Sequence, residues 1–400
     1  MKKVKLSFIV PYKKRLENIS LLFESLAGQT MGRDEFEVVV GSMEYCSAYA
    51  DLCNRHADRL NIKTVISARQ WQVAYARNMA LCQACGEVTV FLDADMVLSP
   101  DFSRNLYDRH FSFGQSQCII GQMVDYDNNT SDMTSIKVRP YAFYEKKLLE
   151  MEKNVAEMDV RFNSPHHIPW AFAWTALIAI PRRLILENEL FFDLNFFGYG
   201  VEDLEWGYRI SKAGIPMMLK KDVFGIHLPH LRNVNSNRET ERRNYRYFLK
   251  KWPSFDVELA CAFGDLEGNR RYPEFKNQIG KATSESAGIL SVIKGVSGGK
   301  SVLIVGAITD RDGNPVNRDL YPELDRIEEW LPVSGLFLPF DDNSLDECIM
   351  MDSLSALDPE YQEIIKAESE RVAKRAKAAR SKFNFRLSGF GKALLGNHHH

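Results

Sequence analysis

The run Val88-Thr-Val-Phe-Leu92 is apolar almost throughout and stops at Asp93-Ala-Asp95. A short run of β-forming residues bounded in this way reads as a buried strand. Desolvation makes carboxylates too costly inside such a strand, so Asp93 and Asp95 should emerge at its C-terminal end. In open α/β sheets that end faces the ligand crevice. Alternation along an extended chain puts both carboxylates on one side, about 7 Å apart. A hard divalent cation carrying a diphosphate uses one or two carboxylates, with phosphate oxygens and water completing its shell. Taken alone, Asp-x-Asp more often marks a solvated turn.

The surrounding pattern supports an α/β chain. Strand-like runs at 6–11, 36–41, 62–66 and 88–93 alternate with helical patterns at 18–29, 47–60 and 73–84. That order implies a mostly parallel sheet flanked by helices. Further strands are expected at 119–124 and 217–220 and helices at 138–152 and 201–213, while 171–180 is apolar and rich in strand formers. A polar, basic helix over 232–246 reads as the exit from a first domain spanning 1–250. Residues 251–298 read as a helical and linker segment, with Lys294-Gly-Val-Ser-Gly-Gly-Lys300 as its flexible part. A smaller α/β, Rossmann-like module follows over 299–397, opening with Ser301-Val-Leu-Ile-Val-Gly306.

Composition narrows the function classes. A net charge of −2 argues against nucleic-acid binding through a bulk basic field. No apolar run approaches the ~20 residues needed to span a bilayer. The N-terminus is broken by Pro11 and followed by Lys13, Lys14 and Arg15, so it reads as a first strand and not a signal. Seven scattered cysteines favour a reducing, cytoplasmic setting, and Cys82-Gln-Ala-Cys85 reads as buried thiols on a helix. His398, His399 and His400 look like a tag remnant. Between Arg371 and Lys392, basic residues interleave with Phe383, Phe385, Leu387 and Phe390. The plain reading is a solvated helix face with a frayed tail. The alternative is a peripheral anchor on anionic lipid at the inner face of a membrane.

Five segments, in order, carry a family resemblance: Leu6-Ser-Phe-Ile-Val-Pro-Tyr12, Ala76-Arg77-Asn78, Phe91-Leu-Asp93-Ala-Asp95-Met-Val97, Gly198-Tyr-Gly-Val-Glu202-Asp203-Leu-Glu-Trp206-Gly-Tyr-Arg209, and Ile226-His227-Leu-Pro-His230. Over about residues 4–250 they resemble the family 2 glycosyltransferases of GT-A fold. The acceptor half is similar to the β-1,4-galactosyltransferases and the bacterial chondroitin polymerase. The resemblance implies transfer from a nucleotide-diphosphate sugar, a UDP-sugar of the galactose, GalNAc or GlcNAc class, to a hydroxyl of a glycan or glycolipid acceptor in bacterial surface synthesis.

It also implies roles. Asp95 holds the metal, with Asp93 supporting through ribose or water, and a later histidine completes the shell. His227 is preferred to His230 because it directly follows the apolar segment 223–226. Histidine suits Mn²⁺ better than Mg²⁺. Pro11 and Tyr12 match the base-contacting position, Arg77 the phosphate neutraliser, and Asn78 the residue holding the metal loop. The aspartate expected after the second strand is missing from 36–44, which leaves Glu44 or backbone to read the base. Asp203 takes the acceptor's proton and Glu202 orients sugar hydroxyls, giving in-line displacement with inversion. The plain alternative for this pair is an acidic helix N-terminus. Trp174, Tyr199, Gly200 and Trp206 are candidates to meet the sugars, as Trp170 and Phe172 also could, although aromatics more often pack in cores. Competing readings are a nucleotidyltransferase and a catalytically inactive nucleotide-sugar-binding scaffold.

The second unit resembles part of a class I methyltransferase at Val302-Leu-Ile-Val-Gly306 and Leu338–Asp346, but Gly306-Ala-Ile-Thr-Asp310 lacks the glycine-rich turn. A degenerate structural or docking module is therefore expected there, with no late strand after a helix over 359–380.

Overall fold

Strand β1 (Leu6–Tyr12) is buried at every position. It lies between β2 (Phe36–Ser42) and β4 (Val88–Leu92), parallel to both, and β3 (Ile62–Ile66) runs parallel beyond β2. Helices α1 (Leu16–Ala27), α2 (Ser47–His56) and α3 (Val73–Leu81) make the crossovers. Period-two alternation divides the strand side chains between two cores. Phe8, Val10, Val38, Val40, Val90 and Leu92 pack with Ile19, Leu22, Phe23 and Leu52 on one face. Ile9, Val39 and Phe91 pack with Ala74, Ala80 and Leu81 on the other.

This is a computed structural model, and it describes residues 3–125, 138–229, 234–283, 288–316 and 324–379. Two compact units arise, one from Met1–Lys251 and Phe263–Tyr272, the other from Trp252–Ala262 and Pro273–His400.

In the first unit the chain continues through β5 (Met96–Leu98), α4 (Phe102–His110), β6 (Cys118–Val124), α5 (Tyr141–Lys153), β7 (Leu177–Pro181), α6 (Arg182–Glu187), α7 (Glu202–Lys212), β8 (Met217–His227) and α8 (Val234–Lys251). The sheet order is β3-β2-β1-β4-β7-β6-β8-β5. β7 is antiparallel to both β4 and β6, and β5 is antiparallel to β8. Four of the seven strand pairings are parallel, and the three antiparallel ones involve β5 and β7, later strands whose direction is set by long-range pairing that no local pattern records. β8 also runs well past 220. It continues through Lys220, Lys221 and Asp222 because it pairs with β6 across an irregularity at Gly121/Gln122. The two neighbours of β1 lead away on opposite sides, so a crevice opens at the C-terminal ends of β1 and β4.

Helices α9 (Phe255–Phe263) and α10 (Asp265–Thr283) follow. The second unit carries a sheet of order β11-β9-β10-β12-β13, made from β9 (Ile289–Ser297), β10 (Lys300–Thr309), β11 (Arg326–Leu331), β12 (Glu347–Met350) and β13 (Ala376–Ala378). Residues 294–300 are not a linker. They form the β9–β10 hairpin, turned by Gly298 and Gly299 at φ 54° and 76°, the left-handed pair that a tight hairpin turn requires. A strand does follow helix α11 (Pro359–Val372): β13 lies parallel to β12, which is parallel to β10. Glu258 of α9 is fully buried and accepts backbone N–H groups of Ser334, Gly335 and Leu336, all within this unit. No helix among the described residues is long and apolar enough to cross a membrane.

Candidate active site

β4 ends at Leu92 and the next three residues turn. The Met96 N–H donates to the Asp93 carbonyl at 3.2 Å, and the Asp93 N–H donates to the Ala176 carbonyl at 3.2 Å. Alternation therefore does not extend to the two carboxylates, and they diverge. Asp93 accepts from Arg77 Nη2 at 3.1 Å. Asp95, fully buried, accepts from Arg15 through Oδ2, and its Oδ1 stands 3.8 Å from His227 Nε2.

The sheet puts His227 there. Met96 of β5 pairs with His227 of β8, and the Leu228 N–H donates to the Asp95 carbonyl at 2.7 Å. His230 lies outside the described residues.

Arg77 projects from α3 and is buried between two acids. Its Nη1 donates to Glu202 at 2.9 Å while Nη2 holds Asp93. Burial alone would lower the Arg77 pKa, but Asp93, Glu202 and Asp203 outweigh it and hold it above its ordinary value. Glu202 and Asp203 open α7, where the helix dipole favours acids. The approach to them is left-handed: Gly198 at φ 87°, Gly200 at φ 86° and Val201 at φ 75°. A Cβ at Gly198 would come within 2.7 Å of Thr240, so only glycine fits. Val201, β-branched, is strained there by about 1–3 kcal/mol, a strain lodged next to the acidic pair. Asp203 is pushed up to about 8, first by burial and then by the neighbouring Glu202 charge, with Arg77 opposing.

These groups share one cleft of about 890 Å³, lined among others by Pro11, Arg77, Asp93, Asp95, Trp174, Tyr199, Gly200, Glu202, Asp203 and His227. That volume suits a medium-sized ligand. Four expected residues go elsewhere. Tyr12 is 1% exposed and stacks on Tyr49 at 4.6 Å, so its ring is spent inside the core. Glu44 accepts the Lys14 N–H at 2.7 Å and so braces the loop after β1. Asn78 exchanges hydrogen bonds with the backbone of Phe192 at 2.8 and 2.9 Å, tying α3 to that segment and not to the metal loop. Trp206 is fully buried, stacks on Phe192 and donates to the Leu190 carbonyl at 2.8 Å, so it is core and meets no sugar. Trp170 and Phe172 are core too.

The cleft also holds residues that sequence reasoning passed over: Lys13, Lys14, Arg15, Trp71 and Asp265. The signal for the first three was present, three consecutive cations just past a strand end. Asp265 gave none, since it lies after the apparent end of the domain. It accepts from Trp174 Nε1 at 2.6 Å, while the buried Arg161 guanidinium sits 4.5 Å from the indole centroid. Burial raises the Asp265 pKa. Trp174 thus reaches the cleft with its ring held at edge and face.

Residues 7–174 match the family model described as Glycosyl transferase family 2. Over 294 residues the chain is 28% identical to validoxylamine A glucosyltransferase of Streptomyces hygroscopicus subsp. jinggangensis, covering 68% of each protein. Over 298 residues it is 28% identical to the uncharacterized glycosyltransferase YfnE of Bacillus subtilis, covering 64% of this chain and 74% of that one. Among solved structures, S. aureus TarS in complex with UDP-GlcNAc is 16% identical with a TM-score of 0.47, covering 80% of this chain and all of that one.

Proposed function

We propose that this chain, whose residues 7–174 match the family 2 glycosyl transferase model, is a metal-dependent, inverting glycosyltransferase acting on a nucleotide-sugar donor, a UDP-sugar, and a glycan hydroxyl. The observation that carries this reading is the meeting in one cleft of the Asp95–His227 pair and the Glu202–Asp203 pair, with Arg77 bridging Asp93 to Glu202.

The donor set suits Mn²⁺. One carboxylate and one imidazole converge, and no group of three or more His, Cys, Asp or Glu that could hold an ion is present among the described residues. Asp95 and His227 would hold the ion, leaving the rest of its shell to diphosphate oxygens and water. Bound there, it supplies Lewis-acid stabilisation to the leaving diphosphate. The chain's own groups do the remainder. Asp203 accepts the acceptor hydroxyl's proton at its carboxylate, and a raised pKa makes it a competent base near neutrality. Glu202, tied to Arg77, orients hydroxyls. A base on the face opposite the leaving group gives inversion. Trp174 and Tyr199 offer flat apolar faces to pyranose rings. The acceptor we propose is a bacterial surface glycan or glycolipid, reached by a cytoplasmic enzyme. The basic, aromatic tail that would touch lipid lies largely outside the described residues. The second unit we propose to be a non-catalytic module: Gly306 lies inside β10 at a strand irregularity, where an added Cβ would come within 2.6 Å of Leu354, and not in a glycine-rich turn after the strand.

The test is nucleotide release from UDP-, GDP- and dTDP-sugars, UDP-glucose among them because one relative is named a glucosyltransferase. It is run with Mn²⁺ or EDTA, in wild type, Asp95→Asn and Asp203→Asn. Metal-dependent turnover of one UDP-sugar, lost in both variants, is expected. Turnover that persists in EDTA removes the metal, and binding without turnover of any donor favours the inactive scaffold.

A further inference from the structure

Arg15 follows β1 by three residues, and its guanidinium sits on Oδ2 of Asp95 while Oδ1 of the same carboxylate faces His227 Nε2 at 3.8 Å. The two partners differ in burial. The Asp95 side chain is 1% exposed, whereas that of Arg15 is 39% exposed and lines the cleft. Arg15 therefore has solvent to swing into, and Asp95 does not. The loop carrying Arg15 is fixed at its base, where Lys14 adopts φ 56° and its N–H is held by Glu44 at 2.7 Å. Lys13 and Lys14 line the same cleft.

We infer that Arg15 makes metal and diphosphate bind as a pair. This rests on the nucleotide-sugar reading above. A guanidinium on Asp95 neutralises the carboxylate that the metal needs, and it places a positive charge beside the position a dication would take. Metal arriving alone meets a site already balanced by a cation, so its affinity is held down. A diphosphate arriving alone finds Arg15 engaged by Asp95. When both arrive, the metal takes Asp95 and the diphosphate takes Arg15, and each ligand removes the obstacle to the other. Linkage makes the effect reciprocal: whatever factor the metal gives to nucleotide affinity, the nucleotide gives to metal affinity.

The test is titration calorimetry at one pH and ionic strength with three ligand sets: Mn²⁺ alone, UDP alone in EDTA, and UDP with saturating Mn²⁺. In Arg15→Ala, Mn²⁺ alone should bind roughly tenfold tighter and UDP with saturating Mn²⁺ roughly tenfold weaker, while UDP alone changes little, so the coupling between them shrinks. Lys13→Ala is the comparison from the same loop and should weaken UDP without tightening Mn²⁺. Unchanged or weaker binding of Mn²⁺ alone in Arg15→Ala overturns the inference and makes Arg15 a brace for the carboxylate. If Arg15→Ala does not fold, Arg15→Gln gives the same readout. Failure of the wild type to bind UDP in any condition would instead remove the UDP-sugar reading itself.

Discussion

His227 Nε2 stands 3.8 Å from Asp95 Oδ1 although 132 positions separate them, because β5 and β8 pair with Met96 opposite His227. Among the described residues no third His, Cys, Asp or Glu joins them in a group that could hold a metal ion. Loss of either should therefore be felt nearly in full. Asp95→Asn and His227→Ala are each expected to lower Mn²⁺-dependent turnover by about 100-fold or more at fixed Mn²⁺. Added Mn²⁺ should partly restore His227→Ala. Wild-type turnover in both variants would move the metal away from this pair.

Asp203 gives a pH signature with a definite sign. Its folded pKa is raised to about 8, by burial first and by Glu202 second. The folded state thus holds the proton more tightly than the unfolded chain does. The stability from that proton is full below about pH 4 and is lost as pH rises through about 8. Asp203→Asn should melt higher than wild type, by a margin that grows across this window, while losing about 10²–10⁴-fold in transfer. In wild type, kcat/KM should climb with pH through neutrality. An acid limb near the ordinary aspartate pKa would remove Asp203 as the base.

Arg77 neutralises two acids at once, so Arg77→Met leaves Glu202 buried and unpaired and Asp93 short of a partner. Urea unfolding should show a loss of about 3 kcal/mol or more. Since Arg77 also lowers the Asp203 pKa, the activity limb of this variant should move to higher pH. Destabilisation without that movement would show the bridge to be purely structural.

Trp174 and Trp206 were equal candidates for sugar contact and should now separate. Trp206 packs on Phe91 and Phe192, both with ring centroids 5.0 Å away, so Trp206→Ala should cost about 3–5 kcal/mol, and Trp206→Phe should leave sugar KM unchanged. Trp174→Ala and Asp265→Leu should instead raise KM roughly tenfold with a smaller stability change, since an aromatic contact contributes about 1 kcal/mol. Steady-state kinetics beside thermal melts decide between these outcomes.

The local patterns were enough for the parallel half of the first sheet. Ile62–Ile66 emerges with the bounds that its β-branched run suggests, and β1, β2 and β4 shift by a residue or so at their ends. Glycines marked the turn before Glu202 and Asp203, because only glycine tolerates the left-handed backbone packed against Thr240. Two glycines misled at 298–299. There the same freedom serves a hairpin turn, and flexibility and tight turning look alike in a string of residues.

What the sequence determined by itself was everything set by neighbours a few positions apart: the strand that ends in carboxylates, the acidic start of α7, the alternation that gives β1 two buried faces. Tertiary structure alone decided which charges meet. The pairing of β5 with β8 brings His227 to Asp95, the packing of α3 aims Arg77 at both Asp93 and Glu202, and a segment beyond the apparent domain end delivers Asp265 to Trp174. The physical reason is range. Propensity and periodicity act over a turn or two of chain, whereas a buried carboxylate is satisfied by whatever cation the folded sheet carries to it.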